Sequence, residues 1–93
     1  MNRIVAEKLI AEELDTLKAR SYQSICEFIG RPISKTAIGT DGKSYQIEIQ
    51  VFWDGDPGTE IRVSVSVDDG GWRAFFPVTG SFIMSPEGEI VGG

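Results

Sequence analysis

Two short acidic runs and one thiol are the places in these 93 residues where side-chain chemistry could begin. Asp54-Gly55-Asp56-Pro57-Gly58-Thr59-Glu60 spaces carboxylates at alternate positions, as a calcium loop does. Calcium wants about six to eight oxygens, and the helix-flanked loop that supplies them runs to about twelve residues. This run is about half that length and Pro57 removes a donor from its middle, so a hairpin turn is the plainer account. Asp68-Asp69-Gly70-Gly71-Trp72 offers an acid pair, and Asp41 is expected at the same end of a sheet. General acid–base work needs a carboxyl with a shifted pKa, whereas neighbouring turn acids point apart into water. No base, nucleophile or oxyanion donor accompanies them, so no catalytic residue is assigned. Cys26 has no histidine anywhere in the chain to activate it. On an apolar helical face such a thiol is an inert packing residue. Without histidine, and with a lone cysteine, the usual zinc and copper ligand sets cannot be assembled, and no metal is assigned. The glycines form neither a dinucleotide fingerprint nor a phosphate loop, so no cofactor is assigned either.

The charge narrows the partners. Arg3, Lys8, Lys18, Arg20 and Arg31 match Glu7, Glu12, Glu13, Asp15 and Glu27 one for one, so the whole net charge of −5 falls on residues 33–93. Most of those acids sit in expected turns, where they keep a protein soluble. A surface of this sign repels phosphate, which argues against nucleic acid as a partner. No apolar run reaches the roughly 18 residues of a membrane span. MNRIVAEKLIAEEL carries acids where a secretory signal needs an unbroken apolar stretch. With a single cysteine and no intramolecular disulfide, a cytoplasmic location is expected.

The elements that would position these residues can be read from periodicity. Ala6, Leu9, Ile10, Leu14 and Leu17 share one side of a helical wheel, with Asn2 as the cap and Glu13 an intruder in the apolar arc. Ser21 is a second cap, behind which Tyr22, Ile25, Cys26 and Ile29 share a face; Gly30 and Pro32 stop the helix. Two helices, or one bent helix, therefore occupy residues 1–29. From Ile33 the period becomes two. Ile33–Ile38 is an edge strand, Asp41-Gly42 turns the chain, and Ser44–Trp53 alternates through Tyr45, Ile47, Ile49, Val51 and Trp53. Ile61, Val63, Val65 and Val67 mark the third strand, and Trp72–Phe76 is expected to be the fourth, closing a meander over residues 33–77. Residues 78–93 are expected to be a tail, with Phe82–Met84 and Glu89–Val91 as a short hairpin or Phe82–Met84 as an irregular plug of the core. The fold class is thus α+β: a helical segment on one face of an antiparallel meander of about four strands, in a single domain.

Pairing Trp53 with Ile61 and Val67 with Trp72 gives the opposite face the rows Glu48–Ser66–Arg73 and Gln50–Ser64–Phe75, with Phe52 across from Arg62. Aromatics and arginines around a shallow serine floor are the side chains enriched at interface centres. Phe52, Arg62, Arg73 and Phe75 are therefore the candidate interaction surface. Solitary exposed aromatics of no consequence, or aromatics covered by the tail, are the simpler alternative.

The segments Ser21-Tyr22, Ile29-Gly30-Arg31-Pro32, Asp41-Gly42-Lys43-Ser44-Tyr45, Val51-Phe52-Trp53-Asp54 and Asp68-Asp69-Gly70-Gly71-Trp72-Arg73-Ala74-Phe75-Phe76-Pro77, with Phe82-Ile83-Met84 and Pro86-Glu87-Gly88, resemble a set of small uncharacterised bacterial α+β proteins. The resemblance spans about residues 21–91 and implies a bacterial cytoplasmic domain of unknown function. It carries no activity and no site residues. The functional expectation is a non-enzymatic protein-interaction module working through a sheet face or a free edge, with a homodimer paired at Ile33–Ile38 as one form. The alternatives are a small-ligand binder or enzyme using Asp41, Asp68 and Asp69 with Trp72 and Arg73, and a small acidic protein of the immunity or antitoxin kind.

Overall fold

The computed structural model describes residues 1–71 and 77–93 of the chain. Helix α1 (Arg3–Lys18) starts where Asn2 Oδ1 accepts the Val5 N–H, and α2 (Tyr22–Cys26) where Ser21 Oγ accepts the Ser24 N–H. Both caps are the ones the sequence offers. The two helices are separate, and α2 ends at Cys26 rather than Ile29, the chain leaving through turns to a left-handed Gly30 at φ +75. Five antiparallel strands follow, β1 (Ile33–Ile38), β2 (Ser44–Trp53), β3 (Ile61–Asp68), β4 (Val78–Met84) and β5 (Ile90–Gly92), laid side by side in chain order. The α+β class and the single-faced meander are as expected, with five strands where about four were. Among the described residues no helix is long and apolar enough to cross a membrane.

The core is the face shared by Tyr45, Ile47, Ile49, Val51, Ile61, Val63, Val65 and Val67, all buried. Val5, Ala6, Ile10 and Leu17 of α1 and Ile25 of α2 cover it. Glu13, the intruder in the apolar arc, is satisfied by Lys35 Nζ at 2.6 Å. That ion pair ties α1 to β1 at the edge of the sheet. The β1–β2 turn closes with Gly42 at φ +77 and the Gly39 N–H on the Lys43 carbonyl.

The expected partner of β3 is corrected. Val67 faces Val78, Val65 faces Gly80, Val63 faces Phe82 and Ile61 faces Met84, so Val78–Met84 is an inner strand and not a tail. The rows through Ser66 and Ser64 accordingly end on Thr79 and Ser81, not on Arg73 and Phe75. The strand expected at 72–76 lies outside the described residues. Alternation could not separate the two candidates, because both runs carry apolar side chains at strand spacing. The packing of Val78–Met84 shows why that run fits beside β3. At Gly80 an added Cβ would stand 2.7 Å from Ile10 Cγ2 and 3.1 Å from Leu14 Cδ1, so α1 rests against backbone there. Phe82, 1% exposed, and Met84 fill the space beyond.

Gly80→Ala should therefore cost about 1–3 kcal/mol through overpacking against a stiff β-branched side chain. Urea unfolding should show the midpoint falling with an unchanged slope; a neutral result would mean α1 does not rest on this strand.

Candidate functional site

The acidic end is assembled as expected, but its carboxylates are engaged in structure. The Tyr45 hydroxyl, on a buried ring, donates to Asp41 Oδ2 at 2.6 Å, while Asp41 Oδ1 accepts the Lys43 N–H. The tyrosine bond holds the Asp41 carboxyl below its ordinary range, helped by that N–H. The same bond, with burial, pushes Tyr45 up. Asp69 Oδ1 accepts the Gly71 N–H and Oδ2 lies 3.4 Å from the Met1 ammonium; the backbone bond leads in lowering its pKa. Asp68 accepts the Gly70 N–H at 2.7 Å. A general acid needs a proton at neutral pH, and the downward shifts of Asp41 and Asp69 run the other way.

The other two candidates sit in structural settings of their own. In the Asp54–Glu60 loop, the Asp54 carboxylate takes Arg62 Nε at 3.1 Å. The Asp54 N–H donates to the Glu60 backbone carbonyl, and Thr59 donates to the Asp56 backbone carbonyl through both its N–H and its hydroxyl, with Gly58 at φ +89, so the loop is a closed turn. Among the described residues no three potential metal-ligating side chains gather. Cys26 is half-buried against the core beside Tyr22. The Tyr22 hydroxyl donates to the Thr59 carbonyl, and burial leads in raising its pKa. Cys26 thus belongs to the contact between α2 and the β2–β3 turn.

Of the candidate interaction surface, Phe52 and Arg62 are described, and Arg73 and Phe75 are outside the described residues. Phe52 and Arg62 face each other across β2 and β3 as expected, with Phe52 42% exposed. Arg62 is held in place, its Nη1 reaching Ser81 Oγ at 3.4 Å while Nε holds Asp54. Ile83 completes the row on β4.

Beside Phe52 lies a cleft of about 250 Å³ that sequence reasoning missed. β1 stops at Ile33, opposite Ile49, so Gln50–Trp53 has no β1 partner. The chain entering β1 fills this notch incompletely, touching β2 through one parallel bridge, Ile29 to Val51. Phe28, Ile29 and Pro32 form one wall, Val51, Phe52 and Trp53 the other, and among the described residues Arg31 is the one charged member of the lining. Arg20 stacks 4.9 Å over the Phe28 ring. A signal was available: a six-residue strand in hairpin with a ten-residue one must leave four positions unpaired.

Further along the edge, the Gly39–Lys43 bond sets the alternation in β1. It turns the N–H and C=O groups of Ala37, Lys35 and Ile33 toward β2 and those of Ser34, Thr36 and Ile38 outward. The edge foreseen at Ile33–Ile38 is therefore present, and among the described residues no strand pairs with its outer side.

The Asp41–Tyr45 pair gives a pH signature. Asp41 has a folded pKa below its ordinary 3.8, so its contribution is whole above that value and is lost as pH falls through the folded pKa. Tyr45, raised above 10.0, contributes fully below 10.0 and loses that as pH rises through its folded pKa. Thermal unfolding against pH should show Asp41→Asn with a shallower acid limb and Tyr45→Phe with a shallower alkaline limb. Limbs parallel to those of the wild type would show that the bond does not persist in solution.

Comparison of the chain with protein-family models, with curated proteins and with solved structures finds no match, so the fold and the residues themselves carry the functional reading.

Proposed function

We propose that this protein is a non-enzymatic interaction module whose binding surface is the notched edge of the sheet, from the Phe28–Pro32 wall across to Phe52. The reading is carried by one observation: a half-exposed phenylalanine stands beside an apolar cleft at the point where the sheet edge is left unpaired. Aromatic anchors with a nearby arginine are the composition of interface centres. At about 250 Å³ the cleft has the size of one or two inserted side chains. The alternative at Asp41, Asp68 and Asp69 has less support, since each of these carboxylates already accepts a backbone or side-chain donor.

Amide NMR of the protein, followed as its concentration rises and on addition of a candidate protein partner, tests this. Shift changes should centre on residues 28–32 and 50–53. Phe52→Ser should abolish them while altering the unfolding free energy by no more than about 1 kcal/mol. Changes centred on Asp41, Asp68 and Asp69 would replace this reading with the small-ligand one. So would a metabolite that stabilises the fold by about 2.7 kcal/mol at a hundredfold excess over its Kd.

A further inference from the structure

The two edges of the sheet are complementary in outline. At the β1 edge the notch lies at the level of Phe52 and Trp53. At the other edge β5 is a tab of three residues, with Ile90 opposite Met84 and Gly92 opposite Ile83. Those β4 residues stand opposite Ile61 and Arg62, which in turn stand opposite Trp53 and Phe52. Notch and tab are therefore level with each other across the width of the sheet.

Their chemistry matches as well. The tab carries Ile90 and Val91, 44% and 54% exposed, two of the few large apolar side chains left open to solvent among the described residues. Glu87 and Glu89, also exposed, precede them, and among the described residues neither has an ion-pair partner. The notch is apolar, and its charged lining residue is Arg31, likewise without a carboxylate partner among the described residues. Arg20 stands on Phe28 behind it, and Glu27 is the one acid among the described residues of the adjoining basin. A locally basic apolar notch on a chain of net charge −5 calls for an extended apolar segment flanked by acids. Glu89-Ile90-Val91 is such a segment, with Ile90 and Val91 already held in β5 and Glu89 bonded in the turn before it, so little ordering entropy opposes its docking.

We propose that the occupant of the notch is the β5 edge of a second copy of this chain, with Ile90 or Val91 in the cleft and Glu89 against Arg31. This rests on the reading of the notched edge as a protein-binding surface and names its partner. The contact is heterologous, each copy offering its tab to the next copy's notch, so it builds a ring where the rotation closes and a linear chain where it does not. A three-residue tab is a small interface, which places the association in the weak, concentration-dependent class.

Sedimentation equilibrium of the full chain, from about 10 μM to about 1 mM, should show the mass rising with concentration. Ile90→Ser, Arg31→Glu and Glu89→Arg should each weaken association at least about tenfold. An equimolar mixture of the two charge variants should recover it, because the glutamate introduced in one then meets the arginine introduced in the other and the remaining contact is native. A monomer at about 1 mM, or a mixture no more associated than its components, overturns the proposal. Association lost in Phe52→Ser but kept in Ile90→Ser and Glu89→Arg overturns it too, while leaving the notch a protein-binding surface with a different occupant.

Discussion

One-sided burial of β2 and β3 is the constraint on which the rest of the molecule depends. Ile61, Val63, Val65 and Val67 are wholly buried while Arg62, Ser64 and Ser66 between them are not. Burying such a side chain is worth about 1.5–3 kcal/mol, so a slip of one residue in β3 would forfeit about 6–12 kcal/mol. That is as large as the whole stability of an ordinary domain, about 5–15 kcal/mol. No turn preference or surface ion pair competes with it. The register of the neighbouring strands follows, and so does the placing of α1, which must lie where it covers these side chains and where Gly80 lets it approach.

The polar groups adjust to that frame. Glu13 faces the sheet because α1 must, and Lys35 reaches over to it from β1. Asp41 accepts from Tyr45 because the ring is drawn into the core and its hydroxyl must be bonded where it emerges. Asp54 and Arg62 share the far end of the outer face. The acids that attract attention in the sequence are therefore spent on turns and on ends of the core.

What remains unspent lies at the margins of the sheet. A meander must begin and end in two edge strands, and edges are where proteins associate unless they are shortened, charged or covered. Here the two short edges are complementary: β1 fails to reach the Trp53 end of β2, and β5 spans only the corresponding end of β4. The segment from Phe28 to Pro32 covers the first gap incompletely, because Gly30 and Pro32 must turn the chain from helix into strand within a few residues.

Local chemistry and strict alternation, both written along the chain, suffice for the α+β class, the two helix caps, the Asp-Gly turn and the limits of β2. They also suffice for the two faces of β2 and β3 and for the edge position of β1. The pairing of β3 with Val78–Met84 needed the folded molecule, since two runs satisfied the same alternation and the close approach of α1 to Gly80 is a long-range contact. The bonding of Asp41 to Tyr45 and of Asp69 to the Met1 ammonium needed it too, because hydrogen bonding depends on where a side chain points. The notch was half legible: unequal strand lengths announced an unpaired stretch of β2. That it would be an apolar cleft beside Arg31, level with the β5 edge, depends on how Phe28–Pro32 packs across it, and long-range packing has no period for a sequence to display.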